Sequence, residues 1–180
     1  DQASQAPLQE TELGTLPAHW QVVRLGEVVS KTSQVDPRKH KIGSFRYVDV
    51  SSVDHQRLSI TSWQEMEADK APSRARKLIK SNDVILATVR PYLKRIALVP
   101  PLLDGEICST AFCVLRAKPD ILSPYYLFYT VATDWFTEAI CEHQRGSSYP
   151  AITDTDVLKA CIPLPPLDEQ RAIAQILHAV

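Results

Sequence analysis

Gly146-Ser147-Ser148-Tyr149-Pro150-Ala151-Ile152-Thr153 and, after a short gap, Ile162-Pro163-Leu164-Pro165-Pro166-Leu167-Asp168-Glu169-Gln170-Arg171-Ala172-Ile173-Ala174 are the stretch whose reading decides the fold. Pro165-Pro166 makes a stiff entry to a helix. Asp168 and Glu169 place negative charge at its start, where free backbone N–H groups favour it. Ile173, Ile176, Leu177 and Val180 then follow i, i+3, i+4, i+7 and form one apolar stripe. No cap or glycine ends the pattern, so an amphipathic helix is expected to run on past residue 180. Upstream, Thr153 is expected to cap a short helix through Lys159, and 160–164 reads as a strand.

Working outward, 123–124 (Ser-Pro) reads as an N-cap followed by proline at the first helical position. Leu127, Phe128, Val131, Trp135 and Ile140 recur at helical spacing, with a break at Thr133-Asp134. Val84-Ile85-Leu86-Ala87-Thr88-Val89 is a short apolar run, the mark of a buried strand, and Arg90-Pro91 ends it. Residues 96–99 and 112–115 are two further strands, and 45–50 alternates in strand fashion. Residues 58–63 suggest another strand, 70–78 is ambiguous, and 31–43 reads as a polar loop. Residues 20–29 read as strand then short helix, with Gly26 placed at a sharp turn, and residues 1–16 as a loose arm. Trp20 and Trp135 are expected inside. The fold class is therefore α+β: a mixed, largely antiparallel sheet domain with flanking helices, followed by the start of a long C-terminal helix.

An apolar fraction of 44% in 180 residues suits one domain with a real core. No apolar run is long enough to span a bilayer and the first residues lack a secretory pattern, so no membrane association and a cytoplasmic location are expected. Cys108, Cys113, Cys141 and Cys161 show no C-x-x-C spacing and no histidine cluster, which disfavours metal and points to reduced, buried thiols. The net charge of −1 lacks the basic excess of an unaided duplex binder. Distribution matters more than the total, and the bases gather at 31–41, 70–80 and 90–95.

The quoted segments resemble the end of a target recognition domain from the specificity subunit of a Type I DNA restriction-modification enzyme. Glu12-Leu13-Gly14-Thr15-Leu16-Pro17 with Trp20 to Val28 resembles the usual opening of such a domain, and 83–94 and 108–116 resemble its middle. Residues 31–82 match nothing familiar, as expected where reading loops differ between targets. The resemblance implies an arm at 1–16, a DNA target recognition domain at 17–165 and the start of a coiled-coil spacer helix at 166–180. It implies that Ile173, Ile176, Leu177 and Val180 pack on a partner helix. It further implies one half of a bipartite double-stranded DNA target, read for DNA methyltransferase subunits that methylate adenine and for a restriction subunit. A second target recognition domain, or a second copy of the chain, reads the other half.

The chemistry of reading needs phosphate anchors and base-edge readers. One basic patch is Lys31, Arg38, Lys39 and Lys41, which fits phosphate contact and equally a solvated loop. A second is Lys70, Arg74, Arg76, Lys77 and Lys80, where five bases in eleven residues without an intervening acid repel one another unless an anion is near. A third is Arg90, Tyr92, Lys94 and Arg95, on the turn after the buried strand. Ser147, Ser148 and Tyr149, with Arg145 beside them, offer hydroxyls and free N–H groups to a phosphate, whereas Gly146 equally suits a helix stop. Five glycines, none in G-x-G, and Leu164-Pro165-Pro166-Leu167 in place of an N-P-P-Y-like loop argue against a SAM-dependent methyltransferase fragment. Asp154 and Asp156 lack a following E-x-K and read as capping or solvated residues; no nucleophile elbow is present. No catalysis and no cofactor are expected. A scaffold that binds only proteins is the alternative, compatible with the near-neutral charge and the terminal apolar stripe.

Overall fold

A computed structural model describes residues 6–40 and 43–180. The chain opens with β1 (Leu8–Thr11), β2 (Gly14–Pro17), β3 (Gln21–Arg24), α1 (Leu25–Val28), β4 (Val29–Ser30) and α2 (Pro37–His40). The middle is strand-rich: β5 (Ser44–Val48), β6 (Val53–Asp54), β7 (Ser59–Ile60), β8 (Gln64–Glu67), β9 (Ala75–Leu78), β10 (Val84–Ala87), β11 (Ile96–Leu98), β12 (Ile107–Ser109) and β13 (Phe112–Ala117). Helices α3 (Pro124–Val131), α4 (Asp134–Cys141) and α5 (Asp154–Lys159), strand β14 (Cys161–Leu164) and helix α6 (Leu167–His178) complete it.

Two four-stranded sheets carry the domain, in the orders β11-β10-β13-β4 and β8-β5-β12-β9. Every pairing is antiparallel except β5 with β12. The apolar run at 84–87 is explained by burial on both faces. Val84 and Leu86, with Cys113 and Leu115 opposite, pack under the helices against Leu127, Val131, Phe136, Ile140 and Val157. Ile85 and Ala87, with Val114 and Phe112 opposite, pack with Val48, Ile79, Leu103 and Cys108 of the second sheet's side. A strand with apolar neighbours on both sides has no polar face to alternate with. Each fully buried aliphatic side chain contributes about 1.5–3 kcal/mol over exposure. A smaller cluster of Phe45, Tyr47, Ala71, Ala75 and Ile107 packs against the second sheet.

The caps expected at Ser123 and Thr153 are present, and the expected break at Thr133 is capped as well. Ser123 accepts from the Tyr126 N–H, Thr133 from that of Phe136, and Thr153 forms a capping box with Asp156. The break at Thr133-Asp134 therefore divides the helical stretch into α3 and α4.

Four local expectations need correction. Residues 8–17 form a β-hairpin rather than a loose arm, because Thr11 Oγ1 donates to Gly14 O at 2.7 Å and Gly14 takes φ 98°; residues 1–5 lie outside the described residues. Gly26 sits inside α1, not at a turn. A Cβ there would lie 3.2 Å from Leu158 O, so the glycine permits close approach of α1 and α5. Trp135 is 39% exposed, its ring edge-on to Phe136, which takes the buried place instead. The polar stretch after β4 is not a free loop: the Val35 N–H donates to Arg76 O and the Leu78 N–H to Ser33 O, so it lies along β9, with α2 beyond.

Candidate nucleic-acid interface

The turn after β10 and the Gly146–Pro150 loop are built together. The Ile152 N–H donates to Thr88 O, Val89 bridges Ala151, and the Arg90 N–H donates to Pro150 O at 2.7 Å. Arg90 and Lys94, at φ 49° and 53°, flank a single 3₁₀ turn over Pro91–Leu93. Left-handed backbone at non-glycine residues carries strain of about 1–3 kcal/mol each and clusters at functional sites. The same turn presents Tyr92 and Leu93 to solvent. Gly146 adopts φ 91°, and the room it leaves brings its backbone close to Tyr149 O. Tyr149 is 71% exposed and its ring lies under the Arg90 guanidinium, 5.1 Å from the centroid.

These loops border an open cleft of about 520 Å³ that also receives Arg74, Arg95 and Ser51. Its remaining lining is apolar, from Val50, Val89, Leu93, Ala111 and Ala151, and no acid lines it. Arg95 is anchored, its Nη1 donating to Val53 O at 2.6 Å. Among the described residues no hydrogen bond or ion pair engages the side chains of Arg74 or Arg90. Three guanidinium groups thus gather, two from the β10–β11 turn and Arg74 from the segment before β9.

The basic patches divide once placed in the fold. Lys77 is 7% exposed, and its ammonium donates to Phe112 O at 2.6 Å and pairs with Asp154 at 2.5 Å. It ties β9 to β13 and α5 and is withdrawn from the surface, contrary to its expected place on a DNA face. Arg76 is turned inward as well, donating to Ala75 O and lying 3.5 Å from Asp36. The anions that relieve the repulsion in 70–80 are therefore Asp36 and Asp154, distant in sequence. Lys70 and Lys39 are exposed near Arg38, which donates to Ala71 O, but the shallow depression there also contains Glu67 and Asp69. Lys31 is exposed and Lys41 lies outside the described residues.

Lys94 pairs with the exposed Asp134 at 2.7 Å, and this contact lowers the Asp134 carboxyl from its ordinary range. Arg145 pairs with Asp156 at 2.8 Å; that hydrogen bond, with the Thr153 N–H, holds the Asp156 carboxyl far below its usual range. Ser147 and Ser148 are exposed beside Tyr149. The sequence patch at 90–95 contains Arg95, but Ser51 was passed over; only the folding of the segment after β5 against the β10–β11 turn brings it in.

The C-terminal helix is fastened by the polar residues of its first turn. Gln170 is fully buried: its Oε1 accepts from the Ser123 N–H at 2.9 Å and its Nε2 donates to Ile121 O and Pro165 O. Glu169 accepts from His19 Nε2 at 2.6 Å and Trp20 Nε1 at 2.8 Å, and these bonds lower its carboxyl from the ordinary range. Ile173 packs on the helical core, whereas Ile176, Leu177 and Val180 are exposed. The apolar stripe is thus split, its first residue used by the domain and the other three left outward.

Burial raises the thiols of Cys108, to about 12, and of Cys113. All four cysteines are free, and no cluster of potential metal ligands occurs among the described residues. Among those residues no helix is long and apolar enough to cross a membrane.

The chain is thus a mixed α+β domain with three arginines bordering one cleft and a C-terminal helix fastened to its helical side. Residues 17–180 match the family model described as Type I restriction modification DNA specificity domain, and the chain belongs to that family. It is 52% identical to the HsdS subunit from Thermoanaerobacter tengcongensis, with a TM-score of 0.85 over 91% of this chain and 42% of that one. A second solved structure, from work on complex assembly and conformational transition of the type I R-M system, gives a TM-score of 0.86 at 52% identity, over 91% of this chain and 42% of that one. The Type I restriction enzyme MjaVIII specificity subunit of Methanocaldococcus jannaschii is 25% identical over 96% of this chain and 42% of its own length. The chain therefore spans about two fifths of the length of these relatives. It is a DNA-recognition domain of a Type I restriction-modification specificity subunit.

Proposed function

We propose that this chain is a non-catalytic reader of double-stranded DNA that recognises one half of a bipartite target and directs partner subunits to it. The observation that carries the reading is the acid-free cleft bordered by Arg74, Arg90 and Arg95 on loops between strands. Guanidinium groups neutralise phosphates and grip base edges. A local cluster of this kind supplies the positive potential that a net charge of −1 does not advertise. The exposed Ile176, Leu177 and Val180 give α6 a face for a partner helix, so that the spacer fixes the distance to a second recognition domain or a second copy. DNA methyltransferase subunits act on the adenine and a restriction subunit acts on unmodified DNA; this chain supplies the address and works in the cytoplasm.

The test is the salt dependence of duplex binding by the assembled methyltransferase carrying this domain. Replacing Arg74 by alanine is expected to weaken binding and to lower the slope of log K against log salt by about 0.9 for the phosphate contact removed. An unchanged affinity and slope would take the cleft out of the interface. The isolated chain is expected neither to bind nor to turn over SAM, and measurable turnover would move it to the enzymes.

A further inference from the structure

We infer that Arg90, held by Tyr149, is the residue of this domain that reads a guanine base edge, and that Tyr149 is its positioning residue. The inference rests on the DNA-reading role just proposed and assigns its chemistry within the site. A bidentate base contact needs a guanidinium fork whose orientation is fixed before binding. Arg90 is fixed from two directions. Its backbone is pinned in the left-handed region at φ 49° by the N–H donated to Pro150 O and by the turn it caps. Its guanidinium lies over the Tyr149 ring, 5.1 Å from the centroid. The cation–π contact holds the group near the ring, and among the described residues no hydrogen bond or ion pair uses its N–H donors.

The surroundings distinguish a base from a phosphate. Val50, Val89, Leu93 and Ala151 line the same cleft. A phosphate would be served by the guanidinium groups but would gain nothing from this apolar wall, which it would only dehydrate against. A base edge, carrying the acceptors O6 and N7 of guanine beside apolar ring atoms, matches both the free fork and the apolar wall. Arg74, exposed and unstacked, has none of this restraint and suits the phosphate beside that base.

The experiment is selection from a randomised duplex library by the assembled methyltransferase carrying Arg90→Lys, Tyr149→Phe or Tyr149→Ala, with thermal unfolding monitored for each. Arg90→Lys keeps the charge and loses the fork. It is expected to relax discrimination at one guanine position by about tenfold or more, leaving the other positions unchanged. Tyr149→Phe keeps the ring and is expected to retain the guanine, whereas Tyr149→Ala is expected to relax that same position. Uniform weakening across all sequences, with no position relaxed, would make Arg90 a phosphate anchor and overturn the assignment while leaving DNA binding intact. Equal behaviour of the two Tyr149 variants would overturn the positioning role. Loss of no affinity and no specificity in any of these variants, or in Arg74→Ala, would instead count against DNA reading by this face.

Discussion

At the scale of single residues, Lys77 and Arg74 show how little sequence distance says about role. They are three positions apart, yet one ammonium is sealed between Phe112 O and Asp154 and the other side chain is exposed at the cleft. Lys77→Ala strands a carbonyl and a carboxylate. Because Asp154 remains 46% exposed, the expected loss is that of a charged hydrogen bond, about 2 kcal/mol in urea unfolding, not that of a fully buried pair. The salt slope of DNA binding by the assembled protein is expected to stay unchanged in this variant and to fall in Arg74→Ala. A reduced slope in Lys77→Ala would contradict the division. The basic run 70–80 was visible in sequence as a cluster of like charge needing anions. That the anions are Asp36 and Asp154 was not, because both arrive through tertiary contacts.

At the scale of elements, the caps and the doubly buried strand were legible because their signals are local: a Ser or Thr before a helical pattern, and an apolar run closed by proline. The hairpin at 8–17 was missed because its short strands lack apolar alternation and are held by backbone pairing and by Thr11 and Gly14. Gly26 was seen and misread, since a glycine used for close helix approach looks in sequence like one used for a turn. The polar start of α6 was read only as charge at a helix end. In the structure Gln170 closes three hydrogen bonds between α6, the Ile121–Ser123 segment and Pro165. Gln170→Leu leaves the Ser123 N–H and two carbonyls without these partners, at about 1–3 kcal/mol for each group left unsatisfied. Faster hydrogen exchange across α6 than across β10 is the expected readout. Glu169 adds a pH dependence. Its folded value lies below the ordinary 4.5 because His19 and Trp20 donate to it, so its contribution is complete above that pH and disappears as pH falls through the lowered folded value. Exchange in α6 is expected to accelerate on acidification through this window, and less so in Glu169→Gln.

At the scale of the whole molecule, two four-stranded sheets and the helices over one of them form a rigid base on which loops from the middle and the end of the sequence meet. The arginine cleft was only half legible for this reason. Arg90 and Arg95 stood out together as a basic turn, but nothing local joins them to Ser51, Arg74 and Tyr149. Residues 31–82, which resembled nothing familiar, supply one side of the cleft, and the Gly146–Ala151 loop supplies another. The outward stripe of Ile176, Leu177 and Val180 suits a spacer: an α-helix rises about 1.5 Å per residue, so altering its length is expected to change the spacing between half-sites and not their bases. The central claim is that this domain provides the address for modification. It is tested most directly by exchanging residues 17–165 for those of a sister domain in the complete enzyme and mapping adenine methylation across a genome. The account predicts that one half of the recognised motif changes to that of the donor while the other half persists. An unaltered methylation map would contradict it.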